Sequence, residues 1–269
     1  NRDLTVELPE WVKITDFDLV SETGFDVDTP DVTGEDNYVD IPVVASSTSS
    51  KGKLKFKLTL SIDGAKSGDI EAKIFGAGVE ETSLVIAKAV APVIPSIDKV
   101  NEVKIGIQSQ PVADLTLVEG KKNSISNEYR KGPADFYNYA ASNGRITLTL
   151  TEGAIFSKTP TVTVTDGNLE ISQANVRLDA DDARVIIPIK SEGTKLSTIK
   201  VSDMFITLTR AIPEGDLKIK VGGTAVIENS RAAGSDDTTI EEGEFTTSNI
   251  PVVAAKVVTP ADPTVHAVS

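Results

Sequence analysis

Apolar and polar residues alternate along much of this chain, in short runs separated by Gly, Asp, Asn and Pro. The alternation is clearest at residues 4–8, 54–62 and 146–150. Because successive side chains of a β-strand point to opposite faces, these runs predict strands with one face on a core, as in antiparallel sheets. Further runs of this kind occupy residues 161–165, 185–189, 204–208 and 217–221. One short helix is predicted, at residues 133–141.

The chain contains an internal repeat. Four segments of the first part match four segments of the second part in the same order: 4–8 with 146–150, 39–43 with 185–189, 67–74 with 214–221, and 85–92 with 253–260. The spacing between matches widens toward the C-terminus, so the second copy carries insertions, chiefly at 228–243. The repeat predicts an all-β protein of two tandem immunoglobulin-like antiparallel β-sandwich modules.

Proline-containing segments mark the predicted module boundaries. Residues 92–95 and 260–263 each end a copy and are interpreted as stiff extended linkers. Module 1 is therefore predicted at 1–95, module 2 with its insertions at 96–263, and a tail or the start of a further strand at 264–269. The first copy has no counterpart of residues 96–145, so we expect it to lack N-terminal strands. By sequence, residues 264–268 align with 96–100.

Two explanations for this incomplete first copy are open. The sequence is a window of a longer tandem array, or the tail of a neighbouring chain supplies a strand to an open sheet edge, which would build a head-to-tail homopolymer. The second explanation predicts partner contacts at the first strand and in the tail, namely at Leu4, Val6, Trp11, Val265 and Val268. The chain begins with Asn1 rather than Met, so we also expect a removed leader or a fragment.

Composition narrows the partners and the compartment. The net charge is −13, which disfavours nucleic acid and anionic membrane surfaces as partners. The absence of cysteine excludes disulfides and thiolate metal sites. No apolar run is long enough to span a membrane. Together with the strand-rich sequence, these features favour an extracellular protein, secreted or on the cell surface.

Four segments carry a resemblance to a known group of proteins. Residues 104–108, 144–153, 186–191 and 213–219 resemble repeated β-sandwich surface modules of secreted Gram-positive bacterial proteins. Some of those proteins also carry a stalk domain named after the N-terminus of copper amine oxidase. The resemblance implies a structural or adhesive role and brings no catalytic residues. The stalk domain itself is not in this sequence, so no link to copper is expected.

Acidic clusters precede the matched Ile-Pro strands of both copies. Calcium binds six to eight oxygen ligands from such loops, so one interpretation is a calcium site in each copy. Solvated turns are the other interpretation, because Asp favours turns on its own account. The carboxylates concerned are Asp26, Asp28, Asp31 and Asp36 in the first copy, and Asp179, Asp181 and Asp182 in the second.

Other candidate sites are weaker. His266 is the sole histidine and lies in the tail, where a catalytic triad or a transition-metal site is not expected. Lys88 and Lys256 occupy matched positions, as crosslinking lysines of some surface modules do, although an exposed strand lysine is the simpler interpretation. A group of aromatic residues offers either a partner surface or a cap on the sandwich; its members are Tyr129, Phe136, Tyr137 and Tyr139.

These observations predict a non-enzymatic structural protein. We expect a subunit of a cell-surface filament, or a segment of a surface-layer or stalk protein, assembled by strand donation. The alternative is a cell-surface binding module for a polysaccharide or a protein partner. Calcium is the one cofactor that the sequence suggests.

Overall fold

A computed structural model describes residues 2–46, 51–127, 144–227 and 247–259. Those residues form strands and turns, with one short 3-10 helix at Gln173–Asn175 and no α-helix within the described ranges. Accordingly, this part of the chain contains no helix that could cross a membrane. The prediction of an all-β fold is confirmed. The predicted helix at 133–141 and the insertion at 228–243 lie outside the described residues.

The chain divides into two compact units, the first ending at Ala91 and the second starting at Pro92. The segment predicted as a linker differs from that expectation. Val93–Ile97 is a strand of the second unit, and Val93 is fully buried there. Pro95 fits this strand because the strand lies at the edge of its sheet, where a missing backbone N–H costs no ladder hydrogen bond.

Unit 1 consists of two antiparallel sheets around one core. The larger sheet has the order β3-β4-β1-β6-β7, and the smaller sheet pairs β2 with β5. Val6, Ile14, Ile41 and Ile70 from both sheets lie in a common buried cluster. The strands are β1 (Arg2–Glu7), β2 (Val12–Thr23), β3 (Phe25–Val27), β4 (Tyr38–Ser46), β5 (Lys53–Ile62), β6 (Gly68–Gly76) and β7 (Val79–Ala89).

Unit 2 has more strands around a larger core. Its large sheet has the order β15-β17-β12-β20-β21-β9, with β16 also paired to β17. Two further sheets have the orders β14-β18-β11-β8 and β10-β19-β13. The strands of these sheets are β8 (Val93–Ile97), β9 (Asn101–Lys104), β10 (Gln110–Pro111), β11 (Leu115–Glu119), β12 (Arg145–Leu150), β13 (Ala154–Phe156), β14 (Thr161–Asp166), β15 (Glu170–Ile171), β16 (Arg177–Asp179), β17 (Arg184–Ser191), β18 (Thr198–Ser202), β19 (Phe205–Leu208), β20 (Gly215–Ile227) and β21 (Thr247–Val258).

The matched segments of the repeat pair in the same register in both units. Leu4 lies opposite Ile41 in unit 1, and the matched Ile146 lies opposite Ile187 in unit 2. The shared strand order is β4-β1-β6-β7 in unit 1 and β17-β12-β20-β21 in unit 2. The pair β6–β7 of unit 1 and the matched pair β20–β21 of unit 2 each have a register shift, which follows Ile70 in the first and the matched Leu217 in the second. Equal order, register and irregularity make the two large sheets directly comparable, residue by residue.

Candidate functional site

In unit 2, the segment from β8 to β11 adds strands to the large sheet and to the two smaller sheets. Strand β9 pairs in parallel with the outer edge of β21, where Asn101 lies opposite Ala255. Strand β11 pairs with β18, and β10 pairs with β19. One segment, residues 93–119, therefore closes an edge of the large sheet and covers the strands that face it.

Unit 1 has no counterpart of this segment among the described residues. Its β7, the match of β21, is the last strand of the large sheet, and β5 pairs with β2 alone. Nearly every residue of β7 is exposed, including Leu84, Val85 and Ile86. An unpaired strand edge presents free backbone N–H and C=O groups that can pair with another strand. Among the described residues, the outer edges of unit 1 are therefore open, and those on β5 and β7 are the ones whose counterparts residues 93–119 close in unit 2.

The side chains of β5 also lack a cover. Leu54, Phe56, Leu58, Leu60 and Ile62 pack against the unit 1 core but are only partly buried. The strands at the corresponding place in unit 2, β18 and β19, bury their inward side chains almost fully, with at most 3% exposed: Ile199, Val201, Ile206 and Leu208. The difference is local to the missing segment, because β11 lies directly beside β18 in unit 2.

The predicted partner contacts at the start of the chain have a different environment. Strand β1 is paired on both sides, by β4 and β6, and so offers no open edge. Val6 is buried in the core, while Leu4 and Trp11 are partly buried against it. The other predicted contacts, Tyr129, Phe136, Tyr137, Tyr139, Val265 and Val268, lie outside the described residues, as does His266.

In the first acidic loop, the polar groups form local contacts. The backbone N–H of Asp28 donates to the carbonyl of Pro42, and the Thr33 hydroxyl donates to Asp36 at 2.8 Å. Asp26 is an exposed residue of β3, and Asp31 is exposed in the loop that follows. These contacts stabilise the loop without drawing the four carboxylates together.

The second acidic loop is a tight turn between β16 and β17. Ala180, Asp181 and Asp182 have consecutive positive φ angles of 53°, 55° and 65°. Asp tolerates this left-handed conformation better than most residues, which gives these acids a local role in the turn; Asp179 ends the strand before it. Across the described ranges, no three His, Cys, Asp or Glu residues form a group that could hold a metal ion. Calcium stays a prediction for these loops.

The matched lysines are both exposed, Lys88 on the edge strand β7 and Lys256 on β21, which has β9 on its outer side. Lys88 lies opposite Asp69, and Lys256 lies opposite Asp216. Opposite charges across an antiparallel pair stabilise the pairing modestly. This cross-strand position is the use that the structure shows for the two lysines.

Three exposed titratable groups have shifted pKa values. The hydroxyl and the backbone N–H of Thr259 donate to Glu214, which lowers the pKa of that carboxyl. The ammonium of Lys190, 2.9 Å from Glu170, lowers the pKa of that carboxyl. The carboxylate of Asp114, 2.8 Å from Lys200, raises the pKa of the lysine. All three shifts come from surface pairs that stabilise strands, and none lies in an enclosed cleft.

Glu119 is a buried carboxylate that the sequence analysis missed. It ends β11 with 1% of its surface exposed. Its two oxygens accept backbone N–H groups, from Ile125 at 3.3 Å and from Ser197 at 3.1 Å. These bonds connect the turn after β11 to the turn before β18. The alternation of the strand could have predicted this burial, because Glu119 continues the series of inward-facing positions that begins with Leu115 and Leu117.

No family model and no curated protein sequence matches this chain, whereas several solved structures are similar to it. A variant of BcpA, the major pilin subunit of Bacillus cereus, is similar with 12% identity and a TM-score of 0.32, over 90% of this chain and 64% of the pilin. This chain thus spans less than two thirds of that pilin.

Two further solved structures are similar at the same low level. The collagen adhesin CNA from S. aureus shows 10% identity and a TM-score of 0.26, over 94% of this chain and 83% of the adhesin. A putative membrane-anchored protein from Corynebacterium diphtheriae shows 9% identity and a TM-score of 0.31, over 99% of this chain and 85% of that one. Similarities of this size carry no inference about function. The resemblance to Gram-positive surface modules therefore stays a prediction.

Proposed function

We propose that this chain is a non-enzymatic structural protein of the cell surface, a filament or stalk subunit that assembles by strand donation. A segment equivalent to residues 93–119, from a neighbouring molecule, pairs with the open edges of unit 1. The observation that supports this proposal is the contrast between the units: the edges that are closed in unit 2 are open on β5 and β7 of unit 1.

The internal repeat specifies the geometry of the donated segment. In unit 2, β9 runs parallel to β21 and lies opposite Ala255–Val258. The matched residues of β7 and its extension are 87–90, so a donor strand should run parallel to β7 at these positions. A second donor strand, equivalent to β11, should pair antiparallel with β5, as β11 does with β18. Residues 264–268, with Val265 and Val268, match the start of such a segment by sequence.

Burial of apolar side chains provides the driving force. The donor would cover the partly buried side chains of β5 and the exposed Leu84, Val85 and Ile86 of β7. Removing apolar surface from water contributes about 25 cal/mol per Å². New backbone hydrogen bonds along two edges add direction and register. The acidic, cysteine-free composition suits an extracellular location.

Electron microscopy and light scattering of the full chain over a range of concentrations test the proposal. We expect regular fibres or a ladder of oligomers that lengthens with concentration. Leu84→Lys, a charge on the open edge of β7, should suppress assembly, because edge lysines block strand addition.

Ile107→Lys is the matched control. Ile107 is 43% exposed and Leu84 is 44% exposed, but Ile107 lies in the turn after β9 of unit 2, outside the open edges of unit 1. The control variant should assemble like the parent chain. A chain that stays monomeric at every concentration would contradict the proposal. Retention of that monomer on a polysaccharide or protein column would favour a binding module instead.

A further inference from the structure

The outward faces of the two large sheets bear opposite charges at matched positions. In each sheet, one set of alternating side chains points into the core and the other set points away from it. We call the outward sets the unit 1 face and the unit 2 face. The unit 1 face contains Asp3, Glu7, Asp40, Asp69, Glu71, Lys73 and Lys88. The unit 2 face contains Arg145, Arg184, Asp216, Lys218, Lys220 and Lys256, beside Arg177 and Asp179 of β16.

The strand registers establish which positions correspond. Asp3 lies opposite Pro42, and Arg145 lies opposite Pro188, in pairs that match between the two copies. Glu7 lies opposite Lys73, as Thr149 lies opposite Lys220.

The charge changes sign at two of these matched positions. The repeat places Asp3 at the site of Arg145 and Glu71 at the site of Lys218, and it places the neutral Tyr38 at the site of Arg184. The difference is therefore built into the same scaffold, at the same places on the sheet. It does not follow from overall composition, since the whole chain has a net charge of −13.

The unit 2 face is concave. A cavity of about 560 Å³ lies over β16, β17, β12 and β20, lined by Arg145, Arg177, Arg184 and Lys220 around Thr147 and Thr149. Asp179 is the one carboxylate in that lining. Gly222 and Gly223 keep the floor low, because neither adds a side chain there. The cavity is open and polar, so it suits charged groups rather than an apolar ligand.

The charges of both faces are available to a partner. Within the described residues, Arg145, Arg184 and Lys220 form no ion pair, and neither do Asp3 and Glu7. Asp40 accepts a hydrogen bond from the Thr5 hydroxyl and keeps its second oxygen free for another donor. Lys73 pairs with Glu81 at 3.3 Å, which removes one of the two opposing charges from the unit 1 face.

We infer that the unit 1 face of one molecule docks onto the unit 2 face of a second copy of this chain. The basic unit 2 face needs an acidic partner surface, and the matched sheet of unit 1 provides one in the same chain. This favours docking between two copies of the chain over binding of an external polyanion. Because the two faces differ, the contact is heterologous and leaves one face free at each end. It extends the proposed assembly with a second surface and does not depend on strand donation.

Salt dependence separates this contact from strand donation. Attraction between exposed charges is screened when the Debye length falls from about 30 Å at about 10 mM salt to about 3 Å at about 1 M. We expect self-association through the faces to weaken at least tenfold over this range in sedimentation velocity. Leu84→Lys, measured at low salt, blocks strand donation while leaving the face contact, because Leu84 lies opposite the buried Ala72 and so points away from the unit 1 face. Paired backbone strands persist at high salt.

A charge-swap experiment on the full chain in this Leu84→Lys background tests the inference directly. Variant A carries Arg145→Glu and Arg184→Glu, so neither of its faces is basic. Variant B carries Asp3→Lys, Asp40→Lys and Glu71→Lys, so both of its faces are basic. Each variant alone should be monomeric at low salt, and an equal mixture should associate again. Circular dichroism verifies that both variants are folded.

The control for variant A is Lys121→Glu with Lys122→Glu, which changes the net charge equally at exposed loop positions outside the face. That control should associate like the Leu84→Lys parent. Self-docking is overturned if the parent is monomeric at low salt, if variant A still associates, or if the mixture of A and B does not. Retention of a monomeric parent on an anionic polysaccharide through Arg145 and Arg184 would also overturn it and would assign the face to a polyanion.

Discussion

The carbonyl oxygen of Asp3 lies so close to Gly76 that a Cβ on this glycine would come within 2.3 Å of it. The matched pair in unit 2 has the same geometry, since a Cβ on Gly223 would lie 2.3 Å from the carbonyl oxygen of Arg145. Both glycines have a positive φ, 89° and 100°. The repeat thus conserves a close approach of two central strands that only glycine permits.

Gly76→Ala should therefore destabilise unit 1 by about 2–4 kcal/mol, from a backbone clash added to a strained φ. Urea unfolding followed by Trp11 fluorescence measures the loss. Gly78→Ala is the matched control: its φ is 80°, but a Cβ there has no heavy atom within 4 Å. The control should lose only about 1 kcal/mol. Equal losses in the two variants would contradict a role for the close approach.

Glu119→Gln should lower the free energy of unfolding of unit 2 by about 1–3 kcal/mol. The amide keeps one acceptor oxygen, so its NH₂ group must face either the Ile125 N–H or the Ser197 N–H and leaves that donor unsatisfied. Thermal unfolding measures the change. Glu102→Gln, an exposed residue of β9, is the control and should change stability by less than about 0.5 kcal/mol.

Acidification should release Thr259 from Glu214. The hydrogen bonds from Thr259 lower the pKa of Glu214 from 4.5, so the folded state binds this proton less readily than the unfolded state. The stabilisation is therefore complete above pH 4.5 and disappears as the pH falls through the lowered pKa. Hydrogen exchange of the Thr259 amide should accelerate in this window. Glu214→Gln should exchange at a rate independent of pH after correction for intrinsic exchange.

Calcium, if bound by the acidic loops, should raise the melting temperature by mass action on the folded state. Melting curves with added calcium and with chelator test this expectation. Asp181→Asn with Asp182→Asn should abolish the difference while preserving the turn, because Asn also tolerates positive φ. Identical curves in calcium and in chelator would assign the acids to turn formation alone.

The alternation of apolar and polar residues identified the strands, because the inward-facing positions of each strand are apolar. Examples are Leu4, Val6 and Leu8, and Ile146, Leu148 and Leu150. Residues 92–95 were predicted wrongly as a linker, because two prolines suggest a break until the strand is known to lie at a sheet edge. Glu119 was missed because a charged residue at a strand end normally faces water.

The charged faces required the register. The sequence match between the two copies rests on the apolar, inward-facing positions of the strands. Asp3 and Arg145 are outward-facing, and their correspondence is established only by their cross-strand partners. The sequence indicated that the first copy would have open strand edges, because it lacks a counterpart of residues 96–145. Their location on β5 and β7 could not be predicted, because strand order depends on long-range pairing.

The parallel pairing of β9 with β21 also governs the order of folding. Asn101 has its partner at Ala255, so the large sheet of unit 2 is incomplete until residue 255 has emerged from the ribosome. The strand pairings described for unit 1, by contrast, all lie within residues 2–91. Contacts between residues distant in sequence form slowly. During synthesis from the N-terminus, unit 1 with its open strand edges therefore folds before unit 2 can complete its large sheet.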